Sequence, residues 1–89
     1  MARSYWMFVE SPANYEISEK MGLTVCGLGR TYRRRAERMQ PNDRMLFYIS
    51  GIRKWAASAT VASRSYVDET PVWTSNRTGD VYPYRVKLN

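Results

Sequence analysis

The sequence predicts an α+β domain: a strongly curved, mostly antiparallel sheet rolled toward a barrel, with two short helices in the N-terminal half. Three observations lead there. Apolar and aromatic residues alternate at strand period over residues 4–10, 44–50 and 81–88. Two segments carry helix start and stop signals, and both fall before Pro41. The later strand signals follow one another without helices between them, which suits hairpins better than a doubly wound sheet. In a chain of 89 residues, curling the sheet is an economical way to protect its edges.

Residues 4–10 form the first expected strand, with Tyr5, Met7 and Val9 on one side and Trp6 and Phe8 on the other. Both sides are apolar, so a central position is expected. Ser11-Pro12 ends it, because proline cannot donate to a ladder. Asn14 is the expected N-cap of a helix running to about Met21, with Ile17 and Met21 as its buried face and Gly22 as its stop. Residues 23–28 are extended. Thr31 is the expected cap of a second helix that ends at Gln40-Pro41. In it Tyr32, Ala36 and Met39 share a stripe, and Arg33, Arg34, Arg35 and Arg38 cover much of the rest.

Pro41-Asn42-Asp43 is a turn signal. The strand over 44–50 sets Met45, Phe47 and Ile49 against Leu46, Tyr48 and Ser50. A further strand is expected from Arg53 to about Ser65, with Trp55, Ala57, Ala59 and Val61 on one face. Residues 68–79 read as an irregular loop in which Trp73 is exposed or acts as a lid. The last strand, over 81–88, alternates Tyr82, Tyr84, Val86 and Leu88 and is still alternating at Asn89. It is expected to leave an edge open for a second copy or for a completing partner chain.

Composition narrows the function classes. A chain this short buries roughly 60–65% of its unfolded surface, enough for one core and a shallow site. The hydrophobic fraction of 44% and charged fraction of 25% are those of a folded domain. No apolar run reaches the ~18 residues of a membrane span, and the N-terminus lacks a signal-peptide pattern, so a soluble, cytoplasmic protein without a membrane partner is expected. One cysteine, Cys26, excludes an intramolecular disulfide, and the absence of histidine excludes Cys/His zinc sites and histidine-based triads. Cys26 reads as a small buried hydrophobe. No spacing among the eight carboxylates favours an acid–base pair or a bound cation. No enzyme, no cofactor and no metal are expected. The net charge of +6 comes from eleven arginines and three lysines. It fits either simple solubility or a polyanionic partner whose phosphates arginine can grip bidentately.

At this point several segments become recognisable together. Tyr5-Trp6-Met7-Phe8 with Glu10-Ser11-Pro12, Gly27-Leu28 followed by a basic helix, and Met39-Gln40-Pro41-Asn42-Asp43 are similar to segments of the EVE domain. So are Leu46-Phe47-Tyr48-Ile49-Ser50, residues 61–68, and Val81-Tyr82-Pro83-Tyr84-Arg85-Val86-Lys87. The resemblance covers about residues 5–88. It implies a PUA-like barrel related to the YTH domain, a class of domains that read modified cytosine or adenine in DNA or RNA without reacting with them. The chain departs from the family pattern at Cys26, where tryptophan is usual, at Asn42, where glycine is usual, and at Ile49, where histidine is frequent. Family members also extend further, so a minimal, truncated or partner-completed form of a single 1–89 domain is expected.

The expected site follows from what a flipped base needs: stacking surfaces and groups that read its edge. Trp6 and Tyr48 are the expected walls, with Ser11 and Ser50 as polar contacts, and the resemblance adds Pro12, Gly27 and Leu28. Core packing is the competing account of both rings. Arg30, Arg33, Arg34, Arg35 and Arg38 are the expected phosphate contacts, against a plain solvated helix face. The leading expectation is a nucleic-acid-binding reader of modified bases. A small-molecule or anion binder and a protein-interaction or dimerisation module are its rivals.

Overall fold

The computed structural model describes residues 3–75 and 79–89. In chain order it contains β1 (Tyr5–Glu10), α1 (Pro12–Lys20), β2 (Val25–Leu28), a 3-10 turn (Arg30–Tyr32) and α2 (Arg33–Arg38). These are followed by β3 (Arg44–Ile49), β4 (Lys54–Thr60), β5 (Tyr66–Val67) and β6 (Tyr84–Lys87). The fold is α+β, as the sequence predicts, and residues 12–20 and 33–38 supply both helices. Among the described residues, no helix is long and apolar enough to cross a membrane.

The sheet does not close into a barrel. It forms two three-stranded sheets, ordered β1-β3-β4 and β2-β6-β5. β1 and β3 are neighbours, but they run parallel, with Trp6 opposite Met45 and Val9 opposite Tyr48. A parallel pair needs a long crossover, and both helices with β2 lie in that connection. The chain leaving β4 crosses from one sheet to the other. Val61 bridges Leu88, the Thr60 and Asn89 amides each donate to the other residue's carbonyl, and the Ala62 amide donates to the Lys87 carbonyl. The wrapped sheet is thus continuous on one side and open on the other, where β1 and β2 are the outermost strands.

Local chemistry explains where the elements begin. α1 starts at Ser11, not Asn14: the Ser11 hydroxyl accepts from the Asn14 amide at 3.2 Å, and Pro12 takes the first turn, where its missing N–H costs nothing. This phase buries Asn14 and Ser18, while the expected pair Ile17 and Met21 are half-buried. Gly22 ends the helix at φ 76° as expected. The second helical segment opens as a 3-10 turn, so Thr31 caps nothing; Ala36 and Met39 are buried, but Tyr32 is exposed. Asn42 holds the left-handed turn at φ 78°.

The strand after Gly51 is shorter than expected. A bulge between Phe47 and Tyr48 moves the register so that Trp55 pairs with Tyr48, on the opposite face from Ala57 and Ala59. Trp55 is consequently 60% exposed. β6 is not an open edge, because β2 and β5 flank it on its two sides. Tyr82, outside the strand at φ 53°, breaks the expected alternation. The core gathers Cys26, Leu28, Ala36, Met39, Met45, Phe47, Ala59, Val61, Val86 and Leu88. Cys26 is fully buried, and burial pushes its thiol up to about 12, as suits an inert core residue.

Candidate nucleic-acid interface

The open side of the wrapped sheet is a cavity of about 310 Å³, at the small end of the roughly 300–1,000 Å³ typical of ligand sites. Met7 to Glu10 of β1 form one wall, and Gly27, Leu28 and Gly29 form another. The β3 ladder fixes which backbone groups reach that wall. The Ser4 and Glu10 carbonyls accept from the Arg44 and Ser50 amides at 2.9 Å. Even-numbered residues of β1 therefore hold β3, and Met7 and Val9 turn their amides and carbonyls to the free edge. Such groups need partners when water is excluded, so the edge offers donors and acceptors toward the cavity.

The remaining lining is largely aromatic, with Tyr32, Trp73 and Tyr82 beside Arg35, Met39 and Thr74. Trp73 was expected at the surface or as a lid, and it is 7% exposed. Its indole N–H donates to the Ser18 hydroxyl at 2.9 Å, and its ring meets Tyr82 edge-on at 6.4 Å. The Arg85 guanidinium lies 5.2 Å from the ring centre. Arg85, itself buried, pairs with Asp68 at 3.3 Å and donates to the Thr70, Val81 and Tyr82 carbonyls. Asn14 ties down the same loop: its amide donates to the Thr74 carbonyl at 2.7 Å and accepts from the Thr74 amide at 2.8 Å. Trp73 and Arg85 lie far in sequence from the α1 pair Asn14 and Ser18, and no local pattern joins them. The one local signal was Gly27, whose missing side chain leaves room for the indole.

The two expected pocket walls do not face each other. Trp6 points inward beside Met45, and Tyr48 points outward beside Val9, where it meets Trp55 edge-on at 5.1 Å. In a parallel pair, directly opposed residues share a face, so Trp6 and Tyr48 fall on opposite faces of the sheet. Trp6 donates its indole N–H to Asp43 at 3.0 Å, and Arg38 covers its ring at 5.8 Å. Asp43 also accepts from the Ser4 and Gln40 amides. Burial pushes its carboxyl up, but the bonds from Trp6, Gln40 and Ser4 outweigh this and hold it below the ordinary carboxylate range. Ser50 sits beyond the end of β1 with its hydroxyl toward the Glu10 carbonyl, and Pro12 packs beside Gly51. Of the expected ligand contacts, Ser11, Gly27 and Leu28 line the cavity; Trp6, Pro12, Tyr48 and Ser50 do not.

Residues 4–89 match the EVE domain family. The chain belongs to that family. This EVE domain is 28% identical to a UPF0310 protein of Pyrococcus abyssi, over 96% of its own length and 64% of that protein's. The chain thus spans less than two thirds of that curated relative. Its fold is also that of a solved YTH domain-containing protein mmi1 and RNA complex, with a TM-score of 0.64 at 13% identity, covering all of this chain and 56% of the other.

The EVE domain's arginines form a varied set. Arg35 lines the cavity and lies 5.3 Å from the Tyr32 ring centre. Arg38 borders a second, shallower cleft with Ser4, Tyr5, Trp6, Glu37 and Gln40. Arg30 pairs with Glu69 at 2.8 Å and Arg33 with Glu37 at 3.2 Å, both at the surface. Arg34 is exposed and has no ion pair among the described residues. The cavity and the shallower cleft are both lined by residues of β1 and of the basic helical segment.

Proposed function

We propose that this EVE domain is a non-enzymatic nucleic-acid reader that takes one unstacked base into the cavity between β1 and β2. The observation that supports this most directly is the cavity itself. Aromatic rings, backbone groups of a free strand edge and a buried carboxyl converge there, with Arg35 on its rim. Stacking on such rings is worth roughly 1–3 kcal/mol per base. Arg34, Arg35 and Arg38 hold the flanking phosphates along α2, positioning the strand without reading it. The backbone edge and the polar wall then discriminate a modified base from a plain one. The solved YTH domain-containing protein of similar fold is an RNA complex, which accords with a nucleic-acid ligand. A site made of aromatic walls and hydrogen-bonding groups, in which the Ser18 hydroxyl bonded to Glu10 is itself fully buried, fits binding rather than catalysis.

The test is fluorescence anisotropy with single-stranded DNA and RNA carrying plain or methylated cytosine and adenine, at several salt concentrations. Binding that weakens linearly in log affinity against log salt, with preference for one modified base, is the expected result. Absence of binding to every oligonucleotide, with the protein folded, overturns the proposal and leaves a small-ligand site.

A further inference from the structure

One face of the β1-β3-β4 sheet covers the core, and the other is open to solvent. Strand pairing sets the outward side chains in three rows across β1, β3 and β4. The first holds Tyr5, Arg44 and Thr60, the second Met7, Leu46 and Ser58, and the third Val9, Tyr48 and Trp55. A solvated sheet face is ordinarily polar, but aromatic and aliphatic side chains dominate this one. Tyr5, Met7, Val9 and Trp55 are 66%, 56%, 50% and 60% exposed. Arg44 carries the only charge in these rows and is held along β4, donating to the Thr60 hydroxyl at 2.7 Å and the Ser58 hydroxyl at 2.6 Å. Aromatic residues, Met and Arg, without Lys, Asp or Glu, are the composition found at the centre of protein–protein contacts.

Area and charge both favour a second copy as the occupant. The exposed parts of these side chains amount to about 500 Å², with roughly 150–250 Å² for each full aromatic side chain. Two such faces together remove about 1,000 Å² from water, enough for a specific but weak contact. The basic cluster does not oppose this pairing at close range. Ala36 and Met39 share the core with Met45 and Phe47, so α2 and its arginines lie on the far side of the sheet. A nucleic-acid strand suits the face less well, because its one cation is already engaged by the β4 hydroxyls.

We propose that two copies of this chain dimerise back to back through the outer face of β1, β3 and β4, about a two-fold axis running across the strands. Two axes can set this face against itself. One runs along β3 and brings Arg44 against Arg44, which like charges oppose. The other crosses the strands through the Met7, Leu46 and Ser58 row and exchanges the two outer rows. The Arg44 guanidinium of each copy then covers Tyr48 of the second copy, with Trp55 beside it, a cation–π contact. Met7 and Leu46 meet their own counterparts at the centre, as the inner faces of two packed sheets do. β1 lies over β1, so both cavities open along the same edge of the dimer.

The experiment is sedimentation equilibrium of the unaltered chain between about 5 and 500 μM, which brackets the weak affinity a contact of this size supports. The mass is expected to rise from monomer to dimer. Added salt should preserve or strengthen the dimer, because each copy carries a net charge of +6. Trp55→Lys sets a lysine near Arg44 of the second copy and should weaken the dimer at least about tenfold. Tyr5→Lys, at an exposed corner of the same face, should do likewise and decides the matter if Trp55→Lys does not fold. Across the proposed axis Ser58 faces its own counterpart, whereas across the other it faces Met7. A short bismaleimide should therefore join two Ser58→Cys chains, while the buried Cys26 stays unreactive. A monomer at every concentration, an unweakened dimer in the folded lysine variants, or a Ser58→Cys dimer that is not joined overturns the proposal. A monomer whose oligonucleotide affinity falls in Trp55→Lys also overturns it, and gives the face to a nucleic-acid strand.

Discussion

The indole of Trp73 rests directly on Gly27: a Cβ at that position would lie 2.5 Å from Cζ3 of the ring and 2.9 Å from the Tyr82 carbonyl oxygen. The indole cannot retreat without breaking its bond to Ser18. Gly27→Ala should therefore push the ring out of the cavity wall, destabilise the domain by about 1–3 kcal/mol as overpacking does, and weaken oligonucleotide binding more than the stability loss explains. Thermal melts alongside anisotropy test this. An unchanged melting temperature with full affinity would mean the ring is not held where it is described.

Among the described residues, Arg34 and Arg35 of α2 have no carboxylate partner, and neither does Arg38, whose guanidinium lies over Trp6. Replacing Arg34 and Arg35 with glutamine should weaken binding to all sequences to the same degree and reduce the slope of log affinity against log salt by about 2. Arg33→Gln, whose guanidinium is shared with Glu37, should have the smaller effect. A slope unchanged in the double variant would assign these residues to a solvated face.

Tyr48→Phe and Ser50→Ala lie outside the cavity, one on the outer face of β3 and one past the end of β1. Both should keep full affinity and full base preference, with stability within about 0.5 kcal/mol of the unaltered protein. A selective loss of base preference in Tyr48→Phe would move the binding site to the outer face of the sheet.

Asp43 gathers the Trp6 indole and two backbone amides on one carboxylate. Its carboxyl sits below the ordinary range in the fold, so its contribution to stability is present above the unfolded carboxylate range and is lost as pH falls through the lowered value. Asp43→Asn should cost about 1.5–3 kcal/mol at neutral pH, the scale of hydrogen bonds to a charged group. It should also flatten part of the acid limb of a melting-temperature profile between pH 2 and 5. Parallel acid limbs in the two proteins would show that another carboxylate governs that limb.

How much of this was legible in the sequence differs by residue. The adjacency of β1 and β3 followed from their shared apolar character, and Asn42 announced its turn. The faces did not follow. In β1 both alternation sets are apolar, so only the packing of Trp6, Phe8 and Glu10 against the core decides that Tyr5, Met7 and Val9 face outward. One bulge reverses Trp55. Trp73 looks like a loop residue because the groups that bury it, Ser18, Gly27 and Arg85, come from three distant segments. The sequence displayed the arginines of the interface plainly, while the cavity depends on a gap between strands that no periodicity records.

The pairing of β2 with β6 joins Val25 to Lys87 across most of the chain's length. Closing so long a loop comes before any ladder energy is returned, which slows folding. During synthesis, β1 and α1 emerge long before β6 can pair with β2, so the Gly27 wall has no ladder to stand on until β6 leaves the ribosome. A nascent chain would therefore hold its arginines ready while still unable to shape a base-sized hole. Under the proposed function, nonspecific attraction to nucleic acid would come first, and discrimination only once β6 has paired with β2.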